Sequence, residues 1–142
     1  MQPTTLGDVS FWYADIGLPQ SRRPALRADA QVDVAIIGAG YTGLWTAYYL
    51  KKAQPDLRVA IVEKDFAGFG ASGRNGGWCM GTFAWNHEAY ARATSRAAVL
   101  QMVQELEATV PEIARVCQAE GIDADMLPTE EMMVATNPAQ LA

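Results

Sequence analysis

Residues 32–43 have the sequence VDVAIIGAGYTG, which gives the strongest indication of the fold. Its first half is a short β-branched run, which is typical of a strand buried on both faces of a parallel sheet. Its second half places Gly38, Gly40 and Gly43 in the pattern G-x-G-x-x-G, and the mixed small and large apolar residues of Leu44–Lys52 suit a helix. The stretch therefore predicts a strand, a tight turn and a helix.

A second β-branched run, RVAIV, follows at Arg58–Val62 after a turn marked by Pro55. A strand, a helix and a strand within about 30 residues form a βαβ unit, and its crossover is expected to be right-handed because twisted parallel strands favour that hand. Glu63 ends the second strand, twenty positions after Gly43. That is the spacing at which dinucleotide-binding turns carry an acidic residue.

Each part of this pattern has a physical task in binding a dinucleotide. Gly38 permits the tight turn, Gly40 lets a pyrophosphate approach the backbone, and Gly43 lets the helix pack against the strand. The helix N-terminus presents N–H groups and the positive end of its dipole to phosphates. Glu63 would accept hydrogen bonds from ribose hydroxyls and repel a 2′-phosphate, although Lys64 weakens that exclusion. The motif leaves FAD and NAD open, because both dinucleotides use it.

A second glycine-rich segment, AGFGASGRNGGWCMG, occupies residues 67–81 and holds six glycines. So many flexible positions cannot form a regular element cheaply. We expect a loop whose backbone approaches a ligand closely, and the alternative is a flexible surface loop in which Arg74 pairs with a carboxylate. For Trp78 and Trp85 we expect packing in the core, and for Cys79 a buried, small apolar side chain.

Residues 1–30 are expected to be an irregular arm, because prolines and glycines interrupt them. The arm contains three consecutive aromatic residues, Phe11, Trp12 and Tyr13. We expect their rings to pin the arm to the domain by burying apolar area.

Residues 95–120 carry apolar side chains at helical spacing, which predicts a helix that faces a core. Thr94 or Ser95 would cap its start, and Gly121 would end it. Pro111 would kink this helix or begin a second one.

The last residues predict one more strand and the start of a helix. Met132–Thr136 has the sequence MMVAT, and Asn137-Pro138 has the signature of an N-cap followed by proline at the first helical position. Only four residues follow Pro138, which is too few for a stable helix. In addition, two parallel strands do not make a stable sheet. We therefore expect the chain to be the N-terminal fragment of a longer protein. We find no internal repeat.

The composition excludes several classes of function. Hydrophobic residues make up 50% of the chain and charged residues 19%, as in globular proteins. A net charge of −5 without a basic cluster argues against nucleic acid or an anionic membrane surface as a partner. Cys79, Cys117 and the single histidine, His87, form neither a disulfide framework nor a metal site, and they fit a reduced, cytoplasmic setting. His87 is expected at the surface or at a helix start.

The 17 uncharged residues of Val34–Leu50 are at the lower limit for a membrane span. The run is interrupted by glycine at positions 38, 40 and 43, and it also carries Tyr41, Thr42 and Thr46. A strand, a turn and a helix explain it better, so no membrane span is expected.

The pairing of DVAIIGAGYTGL (Asp33–Leu44) with VEKDFAGFGASGRNGG (Val62–Gly77) resembles the FAD-dependent amine and amino-acid oxidoreductases of the D-amino-acid oxidase superfamily. Ser10–Trp12 and Thr129–Ala142 resemble the gamma-glutamylputrescine oxidoreductase branch of that superfamily. The resemblance implies an α/β fold. A Rossmann-like FAD-binding domain would start with the parallel βαβ unit, remain incomplete here, and run into the first elements of a substrate domain.

The resemblance also implies a division of the chain and a set of residues that bind FAD. The arm would be residues 1–30, the FAD-binding βαβ unit with its glycine-rich loop residues 31–94, and the start of the substrate domain residues 95–142. The first glycine pattern would hold the pyrophosphate, through Gly38, Gly40 and Gly43 and the backbone of Ala39, Tyr41 and Thr42. Glu63 would bind the ribose, and Lys64 would lie beside the adenine. Ala71 and Ser72 would touch the pyrophosphate or the ribityl chain, and the flavin ring would be lined by Arg74, Asn75, Gly76 and Gly77.

By the same resemblance, the protein would transfer a hydride from the carbon that bears the nitrogen of a small amine or amino acid to FAD. The imine product would then hydrolyse. No residue of this chain stands out as a catalytic acid or base, and the groups that choose the substrate are expected beyond Ala142. An NAD-dependent dehydrogenase domain is one alternative, and a truncated, non-catalytic dinucleotide-binding fragment is another. The oligomeric state is not indicated by the sequence.

Overall fold

In the computed structural model, the described residues are 10–83, 86–130, 132 and 134–138. The chain divides into two compact units, Met1–Trp78 and Cys79–Ala142. The division into an arm (residues 1–30), an FAD-binding domain (31–94) and the start of a substrate domain (95–142) stays a prediction.

The first unit contains the predicted βαβ arrangement. Its elements in chain order are helix α1 (Phe11–Ile16), strand β1 (Val34–Ile37), helix α2 (Tyr41–Ala53), strand β2 (Val59–Val62) and a 3-10 turn (Ala71–Gly73). The two strands pair in parallel, with Val34 opposite Val59 and Ile37 opposite Val62. A mixed α/β fold with a parallel sheet is therefore confirmed for the described residues.

An ion pair between Asp33 and Arg58 links β1 to β2 where the two strands begin. The Asp33 carboxylate accepts hydrogen bonds from the backbone N–H of Arg58 (2.8 Å) and from its guanidinium Nε (3.0 Å) and Nη2 (2.6 Å). These bonds lower the pKa of Asp33 to about 2 and raise that of Arg58. Both side chains are exposed, so the pair adds little stability, but its geometry helps to set the register of β1 against β2.

The expectation that β1 is buried on both faces is wrong. Val34 and Ile36 are half-buried, whereas Ala35 is exposed and Ile37 is 93% exposed. Ile36 lies on the face that α2 covers, since its Cγ2 is 3.2 Å from the position that a Cβ of Gly43 would occupy. The opposite face stays exposed in the part of the chain that the structure describes, and this produces the alternation typical of a half-covered sheet.

The arm is not irregular throughout, because Phe11–Ile16 forms α1. The Ser10 side chain accepts a hydrogen bond from the Tyr13 N–H (3.2 Å), a standard N-cap contact, and Gly17 ends the helix with φ +82°. Tyr13 meets Phe66 edge-on with ring centroids 5.2 Å apart. The aromatic residues therefore do pin this part of the arm, although Phe11 is 74% exposed. Residues 1–9 lie outside the described residues.

The second unit contains helices α3 (His87–Ala93) and α4 (Arg96–Glu120). The predicted long helix and both of its ends are confirmed. The Ser95 side chain accepts from the Ala98 N–H (3.1 Å), and Gly121 ends the helix in the left-handed region with φ +64°. Pro111 lies inside α4 and does not begin a second helix.

The predicted apolar stripe of α4 is half-buried along the helix, except at Met102, which is 49% exposed. Val116, beside the stripe, is buried at 3% exposure. The loop before α3 packs against the α4 backbone, since a Cβ on Gly81 would lie 2.6 Å from the Cα of Glu107. The expectation of a core-facing helix thus holds in part.

Several expectations about single residues need correction. Trp78 is 81% exposed and Cys79 is also exposed, so neither packs in a core of the described structure. Both lie near the end of the glycine-rich segment, outside any helix or strand. His87 is exposed and begins α3, as expected. Trp85 lies outside the described residues.

The strand expected at Met132–Thr136 is wrong for the positions that the structure describes. Met132 and residues 134–136 form no strand, and Met132 and Val134 are 85% and 68% exposed. A strand needs a partner for its backbone groups, and this segment pairs with no strand among the described residues. The expected helix after Asn137-Pro138 would occupy residues 139–142, which lie outside the described residues.

Among the described residues, no helix combines the length and the apolar character needed to cross a bilayer. Within the same residues, no three His, Cys, Asp or Glu side chains come together as a metal site.

Candidate functional site

The first glycine turn, residues 38–43, connects β1 to α2. Gly38 has φ +98°, a conformation that side chains disfavour, and its N–H donates to the Val62 carbonyl (2.8 Å). A Cβ on Gly43 would lie 2.1 Å from the Gly38 carbonyl oxygen. Glycine at these two positions therefore lets the chain leave the sheet sharply and lets α2 begin in direct contact with the turn.

Helix α2 begins at Tyr41, three residues before the predicted start. Gly40 is its N-cap and offers no side chain to the first N–H groups. The Tyr41 N–H instead donates to the Ser72 hydroxyl (2.9 Å). A helix start leaves several N–H donors without intrahelical partners, so this end of α2 can interact with an anionic group.

The Glu63 carboxylate faces the first glycine turn. Its Oε2 accepts from the Ala39 N–H (2.8 Å) and its Oε1 accepts from the Asp65 N–H (3.1 Å). The first of these bonds, and then the second, hold the pKa of Glu63 below its usual range, against partial burial that raises it. A carboxylate has about four lone-pair positions, so Glu63 keeps acceptor capacity for hydroxyl groups while it braces the turn.

The hydrogen bond by which Glu63 braces the first glycine turn was not predicted from the sequence, although the strand register contains a signal for it. The parallel register pairs Ile37 with Val62. The next residues, Gly38 and Glu63, therefore leave the sheet side by side. An acid at that position is within reach of the turn's backbone N–H groups.

The second glycine-rich segment shares the glycine spacing of the first turn over six residues. Gly68, Gly70 and Gly73 also form G-x-G-x-x-G, thirty residues after the first pattern. Gly68 has φ +81°, Gly70 is the N-cap of the 3-10 turn, and a Cβ on Gly73 would lie 2.2 Å from the Gly68 carbonyl oxygen. We call residues 68–73 the second glycine turn.

The two glycine turns lie against each other. The Gly68 N–H donates to the Ala39 carbonyl (2.9 Å). The Ser72 hydroxyl accepts from Tyr41 and would lie 2.9 Å from a Cβ on Gly40. The structure therefore brings the predicted residues of both segments to one place, next to Glu63.

Asn75 extends this cluster beyond the second turn. Its Nδ2 donates to the Ser72 carbonyl (2.9 Å) and to the Tyr41 hydroxyl (3.3 Å), and its Oδ1 accepts from the Gly77 N–H (2.8 Å). One side chain thus connects the end of the loop to the start of α2.

The other predicted site residues lie at the surface of the same region. Arg74 pairs with no carboxylate of the described residues: its Nε donates to the Phe69 carbonyl (2.8 Å), and its guanidinium lies 4.7 Å from the centre of the Phe69 ring. Four further predicted site residues are exposed: Thr42, Lys64, Ala71 and Gly76. Two residues near the site, Trp12 and Tyr13, were assigned only to the arm by the sequence.

Comparison with known proteins assigns this chain to a family. A family model described as "FAD dependent oxidoreductase" (DAO) matches residues 33–142, and the chain belongs to that family. FAD is the cofactor of the family, so the expectations of FAD, of a flavoprotein and of an oxidoreductase are confirmed, and FAD replaces the NAD alternative.

Individual relatives agree with this assignment. The chain is 33% identical over 138 residues to gamma-glutamylputrescine oxidoreductase of Escherichia coli (strain K12), a match that covers 94% of this chain and 31% of that protein. It is 48% identical over 63 residues to thiamine thiazole synthase of Sclerotinia sclerotiorum, covering 39% and 19%, and 65% identical over 34 residues to thiamine thiazole synthase of Aspergillus oryzae, covering 24% and 10%. The chain thus spans less than a third of the length of these relatives. No solved structure matches it.

Proposed function

We propose that the two glycine turns and Glu63 hold FAD in a flavoprotein that oxidises a C–N bond of a small amine or amino acid. One observation carries this proposal: the Gly68–Ala39 and Tyr41–Ser72 hydrogen bonds bring both glycine turns together beside a carboxylate. A nicotinamide-binding turn needs the first of these segments alone. A second segment built in the same way supports the larger contact surface of FAD.

The residues present fit the adenosine and diphosphate parts of FAD. The start of α2 offers N–H groups and a positive dipole end to the pyrophosphate, and its N-cap, Gly40, brings no side chain to that place. Glu63 would accept from the ribose hydroxyls with its remaining lone pairs. Exposed Lys64 would lie beside the adenine.

The second segment would contact the rest of the cofactor. Ala71 and Ser72 would meet the pyrophosphate or the ribityl chain, since the Ser72 hydroxyl already lies at the start of α2. The flavin ring would follow the exposed residues after the second glycine turn: Arg74, Asn75, Gly76 and Gly77. The bound flavin supplies the hydride acceptor, and these residues bind and orient it.

Amines or amino acids are the proposed substrates because of the breadth of one similarity. The match to gamma-glutamylputrescine oxidoreductase covers 94% of this chain, whereas the thiazole synthase matches cover 24% to 39% in the two cases above. In the same proposal, β1, α2 and β2 begin a Rossmann-like sheet and residues 95–142 begin a substrate domain. A reduced, cytoplasmic location fits Cys79 and Cys117, which are both free.

The proposal is tested by FAD binding and by the response of bound flavin to amines. We expect purified protein to quench the fluorescence of added FAD, NAD not to compete, and Glu63→Gln to weaken FAD binding roughly tenfold, because a charge-assisted bond is worth about 1.5–3 kcal/mol. The matched control is Glu88→Gln, since Glu88 is 72% exposed and pairs only with Arg92 on its own helix in the described contacts.

The reaction itself is tested with the longest open reading frame that contains this chain. Anaerobic addition of primary amines and amino acids should bleach the flavin absorbance of that protein. A colourless protein that binds no added FAD would favour the non-catalytic alternative. Bound flavin that no amine or amino acid bleaches would refute the proposed substrates.

A further inference from the structure

Helix α1 contacts the far end of the glycine-rich segment through Trp12. The indole N–H of Trp12 donates to the Asn75 carbonyl (2.8 Å). The same ring lies against Gly77, where its Cζ2 is 2.9 Å from the position that a Cβ would occupy. Trp12 therefore contacts the loop by a hydrogen bond at one residue and by its ring at another, and Gly77 leaves room for the ring.

Tyr13 contacts the near end of the same segment. Its hydroxyl donates to the Ala67 carbonyl (3.3 Å) and would lie 3.1 Å from a Cβ on Gly68. Its ring atom Cε2 would lie 3.0 Å from a Cβ on Gly73. Three glycines of the segment are thus positions where the backbone approaches one of two neighbouring rings of α1.

Helix α1 packs against the second glycine turn as strand β1 packs against the first. The last glycine of the first turn, Gly43, packs against Ile36 of β1. The last glycine of the second turn, Gly73, packs against Tyr13 instead. The second turn follows no strand of its own, so its support comes from a helix more than fifty residues earlier in the chain.

A path of direct contacts runs from α1 to the first glycine turn. Trp12 holds the Asn75 backbone, and the Asn75 side chain donates to Ser72 and to the Tyr41 hydroxyl. We propose that Trp12 and Tyr13 are positioning residues: they set the conformation of residues 67–77 and thereby the affinity of the site for FAD. The part of this inference that concerns FAD affinity, its cofactor half, rests on the proposed function. The part that concerns the conformation of residues 67–77 does not depend on the proposed function.

Three variants of the protein test the inference. Trp12→Phe keeps a ring and removes the N–H, Trp12→Ala removes both, and Ile16→Ala is the control, because Ile16 is on the same helix and is 73% exposed. Amide hydrogen exchange is measured without FAD. We expect faster exchange in residues 67–77 for Trp12→Ala, a smaller increase for Trp12→Phe, and no change for the control or in the C-terminal half of α2.

The second readout is the bound cofactor. Losing one hydrogen bond of ordinary strength should weaken FAD binding about fivefold in Trp12→Phe, and losing the ring as well should weaken it further. The visible spectrum and fluorescence of the bound flavin should change in the same order, while the thermal unfolding temperature of Trp12→Phe stays near that of the parent protein. A change in unfolding temperature alone would indicate a purely structural role and would overturn the inference.

The outcomes separate the two proposals. Unchanged loop exchange in Trp12→Ala refutes the positioning role, whatever happens to FAD. If the loop exchanges faster in Trp12→Ala but the parent protein binds no FAD, the proposed function is refuted, and the cofactor half of this inference is refuted with it. Faster loop exchange with unchanged FAD affinity and spectrum refutes the positioning role while the proposed function stands.

Discussion

The two glycine turns have the same backbone construction and different surroundings. Each begins with a glycine at positive φ and ends with a glycine that has no room for a Cβ. The first turn follows a strand and starts a 13-residue helix, whereas the second follows a loop and starts a 3-10 turn of 3 residues. The G-x-G-x-x-G spacing therefore encodes a local turn, and the residues around it decide what the turn supports.

The sequence after each turn explains this difference. Leu44–Lys52 continues the first turn with residues that tolerate a helix, whereas Arg74-Asn75-Gly76-Gly77 stops the second, because asparagine and above all glycine disfavour helix interiors. The first turn can thus offer a helix dipole to a phosphate. The second turn has no helix of useful length, so it interacts through individual side chains such as Ser72.

The largest effect is expected from Gly43→Ala. The added methyl group would lie 2.1 Å from the Gly38 carbonyl oxygen, and Gly38 cannot move away freely because its N–H is bound to Val62 in the sheet. Strain of this kind in a packed position costs about 1–3 kcal/mol and at times more. We expect a loss of about 3 kcal/mol in the free energy of unfolding, measured by urea titration.

Gly70→Ala is the matched control for that variant. Gly70 has φ −73°, which every residue adopts, and a Cβ there would meet nothing within 4 Å. Its free energy of unfolding should stay within about 0.5 kcal/mol of the parent protein. Equal losses in Gly43→Ala and Gly70→Ala would mean that the close contact at Gly43 is not what holds the turn.

Gly73→Ala should have an intermediate effect, although its clash is almost as short. The new methyl group would lie 2.2 Å from the Gly68 carbonyl oxygen. Gly73 is only half-buried and its turn belongs to an exposed loop, whereas Gly43 is buried next to the sheet. The loop can relax, so we expect a loss of about 1 kcal/mol together with faster proteolysis at residues 67–77. A loss as large as that of Gly43→Ala would show that both turns are held with equal rigidity.

The parts of the fold that could be predicted are those with local signals. The β-branched runs and the first glycine turn predicted β1, α2 and β2 to within three residues. The start of α2 was placed too late because Gly43 is a poor helix former, and its helical position becomes reasonable only once its contact with Gly38 is known. Gly121 was identified as one end of α4, and Ser95 as one of two candidates for the other, because capping is also local.

The parts that could not be predicted depend on distant contacts. Helix α1 has only six residues, and its support comes from a loop more than fifty positions later. The exposure of Trp78 and of Ile37 depends on what covers them, which no local pattern records. Within the site, the sequence indicated which residues belong together, but the contact of Ser72 with Tyr41 joins residues 31 positions apart and required the structure.

The smallest effect concerns acid, and it separates the two turns by chemistry. Glu63 braces the first turn with an ionised carboxylate, whereas the second turn is held through the Trp12 indole N–H and the Ser72 hydroxyl, which are uncharged groups. The pKa of Glu63 is lowered by the Ala39 N–H. Its contribution to stability is therefore complete above the ordinary pKa of a glutamate and is lost as the pH falls through the lowered value.

We expect the Ala39 amide proton in NMR spectra to shift with a midpoint below the ordinary pKa of a glutamate, and we expect Glu63→Gln to abolish that shift. The indole proton of Trp12 should not follow the same titration, since the Asn75 carbonyl that it contacts carries no ionisable group. The same midpoint pH for both protons would mean that protonation of Glu63 changes the conformation of both turns together. Independent behaviour would mean that the first turn responds to protonation of Glu63 while the second turn keeps the support of α1.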